Sequence, residues 1–200
     1  MIWKGPKREG KTIYLTFDDG PVPEVTPWVL DTLKQYKVTA TFFCVGENVK
    51  KYPEIYRRIL DEGHSVGNHT FTHQSGYRCS NKEYQQEVMQ ASTYIDSRLF
   101  RPPYGKIKRV QRKNINQDYE IVMWDVLSGD FDVKNSANQC TTNVLNHIQD
   151  RSIVVFHDSV KAMPRLSGCL EDILSEINHR GYQCLPLETG TFAGRPKTKI

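Results

Sequence analysis

The sequence predicts an α/β fold, a distorted (β/α) barrel of about seven parallel strands in the manner of a TIM barrel. Two observations carry this. Short β-branched and aromatic runs alternate with segments of helical spacing from Thr12 to Leu187, and no repeat or linker breaks the rhythm. The polar residues that stand out, Asp18-Asp19, His69, His73, Arg101, Asp130 and His157, all fall just after strand-like runs. A barrel gathers such positions at one rim. A chain of 200 residues fits one domain, read as 1–200 with residues 188–200 as a C-terminal tail.

The elements follow in order. Ile13, Leu15 and Phe17 alternate with Tyr14 and Thr16 in a strand that ends in two acids and Gly20-Pro21. Thr26-Pro27 reads as an N-cap and first helical residue, with Trp28, Val29, Leu33 and Tyr36 on the apolar face. Thr39–Val45 is a buried strand stopped by Gly46. Pro53 opens a helix with Ile55, Tyr56, Ile59 and Leu60 inward and Gly63 past its end. Ser65–Gly67 is a short strand, followed through His73 to a polar loop, Gln74–Cys79. Ser80 and Glu83 form a capping box for a helix carrying Tyr84, Val88, Ala91 and Ile95. Leu99-Phe100 is a brief strand, and Val110 and Ile115 mark a weakly patterned helix. Ile121–Trp124 is a strand, a long loop runs from Asp125 to Ser136, and Cys140–Ile148 is helical. Ile153–Phe156 is the most apolar strand; Leu166 to Ile177 is one amphipathic helix closed near Gly181; Tyr182–Leu187 is the last strand.

Composition excludes several classes. With 38% hydrophobic and 25% charged residues, the chain is an ordinary globular protein rather than a disordered one. The net charge of +4 gathers in Lys106–Lys113 and at Arg195, Lys197 and Lys199, without the interleaved aromatics that nucleic-acid binding would need. It suits a surface tolerant of anionic polymers. Five scattered cysteines include no C-x-x-C pair, which excludes a zinc ribbon or dithiol motif; Cys44 and Cys169 read as small buried hydrophobes. Met1–Arg8 lacks an apolar leader, and no segment is long enough to span a membrane. The expectation is a soluble chain, cytoplasmic as written, with export open if a leader was removed.

Several residues point to chemistry. Asp18-Asp19 is equally at home in a turn, but two adjacent acids at one site repel unless a cation lies between them or one is protonated. His69 and His73 are four apart, which puts two imidazoles on one side of a helical turn. Zinc accepts that pair with a carboxylate as third ligand. Asn68 and Thr70 are placed to anchor this turn, while His64 reads as a helix cap and His147 and His179 as dipole partners. Two prolines stiffen Arg101–Gly105, where the arginine can hold an acid ionised by a bidentate contact. His157 ends the most apolar strand, at the rim.

Together, Thr16-Phe-Asp-Asp-Gly-Pro21, His69-Thr-Phe-Thr-His73, Arg101-Pro-Pro-Tyr104, Asp130-Phe131 and Val155-Phe-His157 resemble, in order, the five motifs of the polysaccharide deacetylases. These are the carbohydrate esterases of family four, with a NodB-like catalytic domain. The resemblance runs from about Thr12 to Pro186. It implies that Asp19, His69 and His73 hold one divalent metal, zinc by preference and cobalt or nickel as alternatives. Asp18 would be the general base, paired with Arg101. Tyr104 would offer its backbone N–H to the oxyanion, and His157, oriented by Asp130, would be the general acid. Phe131 stands where the family has tryptophan, Leu127 where it has aspartate and Val155 where it has leucine; Asp125 lies close enough to compete with Asp130. These departures touch the wall around the acetyl group.

The implied activity is hydrolysis of N-acetyl groups on a peptidoglycan- or chitin-like amino-sugar glycan. O-acetyl esterase action on xylan or another acetylated glycan is the alternative. A two-metal phosphoesterase is disfavoured by only three convincing ligands, and a non-catalytic glycan-binding domain by the presence of both Asp18 and His157.

Overall fold

The first strand, β1 (Thr12–Asp18), is buried along its whole length because both of its faces are covered. Its odd-numbered side chains, Ile13, Leu15 and Phe17, join the layer between sheet and helices. Tyr14, on the other face, packs into the barrel interior with Phe43, Leu99, Val122, Ile153 and Leu187. This two-sided burial is what a parallel sheet under helices requires.

In the computed structural model, which describes residues 1–192, the first half continues with α1 (Thr26–Gln35), β2 (Thr41–Cys44), α2 (Gly46–Lys51), α3 (Pro53–Asp61), β3 (Ser65–Asn68) and α4 (Asn81–Ser92). Next come β4 (Leu99–Phe100), α5 (Arg109–Ile115), β5 (Glu120–Ile121), β6 (Val126–Leu127) and α6 (Ala137–Leu145). The chain then forms β7 (Ser152–His157), α7 (Met163–Leu166), α8 (Leu170–His179) and β8 (Gln183–Cys184). Seven strands lie in the order β5-β4-β3-β2-β1-β7-β6, all parallel, and β8 pairs with the start of β1. The fold is the distorted (β/α) barrel that the sequence predicts.

The ends of this sheet, β5 and β6, are consecutive short strands of one segment that bends at Asp125 between them. It pairs first with β4, through Leu99↔Glu120, and then with β7, through Val126↔Val154. The barrel therefore closes by a segment that changes partners. The wedge this leaves is filled by the first residues of the chain: Ile2 donates its N–H to Ile121 O and accepts from Met123 N, and Gly5 N–H donates to Arg151 O.

Several local expectations change. Thr26 is the first residue of α1, not its N-cap; its hydroxyl accepts the Val22 N–H at 2.7 Å and donates to Asp158 at 2.6 Å. Gly46 opens α2 instead of merely stopping β2, and Leu60 and Val110 are exposed. The amphipathic run after Leu166 is broken into α7 and α8 around Ser167-Gly168. His64 does not cap α3: it is buried, and its Nδ1 accepts the Ala40 N–H at 3.1 Å. The Ser80 capping box is present in both directions, at 3.2 and 2.8 Å. Of the predicted tail, residues 193–200, including Arg195, Lys197 and Lys199, lie outside the described residues.

The glycine of β3 sits opposite Phe43 of β2, and a Cβ on Gly67 would lie 2.4 Å from that ring. Gly67→Ala is therefore expected to destabilise the fold by about 1–3 kcal/mol, since the ring has no free space to move into. Urea denaturation checks this; an unchanged midpoint would show that the interior is loosely packed.

Candidate active site

Where β1 ends, the backbone turns sharply. Asp19 has φ 91°, a conformation costly for a residue with a Cβ, and it turns the second carboxylate towards the same rim as the first. The turn is held from below by Asp158, a fully buried acid at the end of β7. Its Oδ1 accepts the Gly20 N–H at 3.0 Å and its Oδ2 accepts the Thr26 hydroxyl. A Cβ at Gly20 would lie 1.9 Å from Asp158 Oδ2, so the close approach needs glycine. Burial pushes the Asp158 pKa up to about 8; the charge of Asp19 adds to this, while the Thr26 and Gly20 hydrogen bonds oppose it. Asn48 of α2 donates to Asp19 O at 2.9 Å, a second fastening for the same turn.

The two histidines do not share a helical turn. They flank an irregular loop in which Thr70 (φ 65°) and His73 (φ 58°) adopt left-handed conformations. Polar groups hold it: Asn68 Oδ1 accepts the Thr70 N–H, and Glu87 Oε2 from α4 accepts the N–H groups of Phe71 and Thr72 at 3.1 and 2.7 Å. His69 Nδ1 donates to the Arg101 carbonyl at 2.7 Å, which fixes the tautomer and leaves the Nε2 lone pair facing the acids. That nitrogen lies 3.9 Å from Asp19 Oδ1 and 4.0 Å from Asp18 Oδ2. Burial holds the imidazole neutral, its pKa pushed down to about 4.

A lone pair aimed at carboxylate oxygens is repelled unless a cation lies between them. His73 Nε2 is 3.2 Å from the same Asp19 oxygen, and one donor atom from each of Asp19, His69 and His73 lies within 4.8 Å of the others. Two imidazoles and a carboxylate at this spacing fit a divalent ion of the zinc type with a position left open. The expected ligand set thus comes together.

Arg101 follows β4 and is fully buried. Its Nη1 donates to Asp18 Oδ1 and to Thr16 Oγ1, both at 2.7 Å, its Nη2 to Met123 O at 2.9 Å and its Nε to Val122 O at 3.3 Å. The contact with Asp18 is thus through one nitrogen, not the bidentate fork expected, because the other donors are taken by the carbonyls that follow β5. The guanidinium lies 4.1 Å from the centre of the Phe43 ring and 5.6 Å from Trp124. Burial lowers the Arg101 pKa from its ordinary value while Asp18 raises it, and a guanidinium remains charged throughout.

Across the cleft, Asp130 Oδ1 meets His157 Nδ1 at 2.8 Å and its Oδ2 accepts the His157 N–H at 2.7 Å. Burial alone would lower the His157 pKa. The Asp130 hydrogen bond and charge, with Asp18 and Asp19, outweigh burial and raise it to about 9. Asp125 does not compete: its oxygens accept from Ser152 Oγ and Ile153 N at the opposite end of β7. Phe131 stands edge-on to His157, with ring centres 5.1 Å apart.

A cleft of about 540 Å³ joins these groups; Asp18, Asp19, His69, His73, Tyr104 and His157 line it, with Phe131 and Val155 in its wall. Every residue singled out for chemistry therefore lies in the cleft or directly behind it. Sequence reasoning missed Asp158, Glu87 and the cleft residues Trp124, Lys106, Ser159 and Lys161. Asp158 alone carried a visible signal, an acid directly after His157 on the most apolar strand.

Residues 5–122 match the family model of the polysaccharide deacetylases. A peptidoglycan-N-acetylglucosamine deacetylase of Bacillus cereus is 34% identical over 193 residues, covering 92% of this chain and 89% of that protein. A chitooligosaccharide deacetylase of a Bradyrhizobium strain is 40% identical over 196 residues, covering 88% and 89%. Among solved structures, a peptidoglycan N-acetylglucosamine deacetylase superposes with a TM-score of 0.86 at 33% identity, covering 93% of this chain and 90% of the other. With the five motifs converging on one cleft in this barrel, the chain belongs to the polysaccharide deacetylases, hydrolases of carbon–nitrogen bonds.

Proposed function

We propose that this chain hydrolyses N-acetyl groups on an amino-sugar polymer or oligomer, releasing acetate, with one divalent metal held by Asp19, His69 and His73. The observation that carries this reading is that metal donors, an arginine-held carboxylate and an aspartate-held imidazole line one cleft. The relatives named for peptidoglycan and chitooligosaccharide deacetylation support an amide rather than an ester as the bond cleaved. Zinc is the proposed ion, with cobalt and nickel as substitutes.

When bound, such an ion supplies a Lewis acid for the acetyl carbonyl and a water of lowered pKa. Asp18 does not belong to the ligand trio, and Arg101 fixes its Oδ1 at 2.7 Å. It is the proposed general base, taking a proton as the water oxygen attacks the acetyl carbon. The backbone N–H of Tyr104 is the proposed donor to the oxyanion. With Asp130 holding Nδ1–H, His157 keeps Nε2–H for the sugar nitrogen and protonates it as the C–N bond breaks. Acetate and a free amine leave. An amine is a poor leaving group unless protonated, which gives the raised His157 pKa its use. Phe131 and Val155 are the proposed wall against the acetyl methyl.

Asp18→Asn is expected to lower acetate release by about 10²–10⁴-fold while metal content, read by elemental analysis, stays near one ion per chain. Substantial turnover in that variant would remove the base assignment. Chelation should abolish activity and added zinc restore it, whereas a chelated sample of full activity would leave the mechanism without its metal. Because the folded pKa of His157 is raised, the acid form is present at neutral pH and is lost as pH rises through about 9. Rate should fall over that range, and Asp130→Asn should move the fall towards neutral pH. An alkaline limb that does not move in that variant would assign it to another group.

A further inference from the structure

The cations of Lys106–Lys113 are not absorbed by the site. Five lysines and arginines fall within these eight residues, with no acid between Asp96 and Asp118. Arg109, Arg112 and Lys113 stand at i, i+3 and i+4 of α5, one helical face, where like charges repel and cost helix stability. The opposite side of α5 is fastened to the body: Gln111 and Ile115 are buried, and Gln111 bonds Lys108 N and Gly76 O. Among the described residues, none of these five cations has a carboxylate at ion-pair distance. One end of the segment, Lys106, lines the catalytic cleft. Lys108 donates to the Cys79 carbonyl, and Arg109, Arg112 and Lys113 line a groove of about 850 Å³ beside α5, with Met1, Val110, Asn114 and Asn116 and no acidic residue.

We infer that this face is a docking track for a carboxylate-bearing glycan strand, which it holds while one acetylated sugar occupies the cleft. The chemistry fits each part: helix-borne cations for carboxylates, the Asn114 amide for hydroxyls, and Val110, 52% exposed, for the apolar face of a sugar ring. The inference rests on the hydrolase reading for the identity of the strand and narrows it to polyanionic polymers such as peptidoglycan over neutral ones such as chitin.

The test compares the full chain with its triple variant Arg109→Gln, Arg112→Gln, Lys113→Gln, none of which touches the cleft. Co-sedimentation with purified peptidoglycan should weaken about 5- to 30-fold in the variant, and in the parent chain as ionic strength rises from about 0.05 to about 0.5 M. On peptidoglycan the variant should show a raised KM and an unchanged kcat. On a neutral chitin oligomer both constants should match those of the parent. Equal sedimentation of parent and variant, or an equal rise in KM on the neutral oligomer, overturns the track. Acetate release from neither substrate would instead overturn the hydrolase reading, with sedimentation still reporting on the track.

Discussion

The structure depends on a charge with no access to water. A guanidinium inside a barrel is tolerable only when its donors are met and a counter-charge stands beside it. Here Asp18, Thr16 and the carbonyls of Val122 and Met123 meet the donors, and Phe43 supplies an aromatic face. These partners come from three strands or their ends, so Arg101 makes the register of β1, β2 and β5 a condition of its own solvation. The same residue orders the site twice over. Its side chain aims Asp18, and its carbonyl sets the tautomer of His69. Removing it would leave a buried acid unpaired and a proposed metal ligand free to rotate.

Around this centre the chain stores strain where chemistry needs it. Asp19, Thr70, His73 and Tyr104 all have positive φ, and three of them lie in or between the proposed metal ligands. Left-handed residues persist only when their surroundings over-determine them. The over-determination comes from acids that do not face the substrate: Asp158 beneath the β1 turn and Glu87 beneath the histidine loop. Both act by accepting backbone N–H groups, so each fixes main chain and leaves the functional side chains unencumbered. That division lets Asp19 keep its carboxylate for a cation.

Much of this was legible in the sequence, and the reasons differ between fold and site. Alternation in β1, the unbroken apolar run of β7 and the Ser80 capping box are local signals that produced the expected elements, and the apolar stripe after Leu166 produced α8 with a break before it. Asp18-Asp19, His69, Arg101 and His157 were readable because each sits at or just past a strand end, where a barrel converges, and His73 by its spacing from His69. What the sequence could not show is non-local. The hydroxyl of Thr26 resembles a cap until Asp158 is seen opposite it, 132 positions away. The spacing of His69 and His73 suggests a helix because four residues describe one equally well; only the loop's tie to Glu87 replaces it. Asp125 and Asp130 looked interchangeable beside His157, yet the strand between them places one at each end of β7.

The segment that changes partners has a mechanical consequence. Its first part supplies the two carbonyls that hold Arg101, hence the side of the cleft that carries Asp18. Its second part runs into the loop that carries Asp130, hence the side that carries His157. The two proposed proton-handling groups are thus joined by one short span of backbone, bent at Asp125, which works as a calliper. Its jaws are set by the number of peptide units between Val122 and Asp130. Adding or deleting a unit there changes the gap across which a water and an amide must fit, even if no residue touching the substrate is altered.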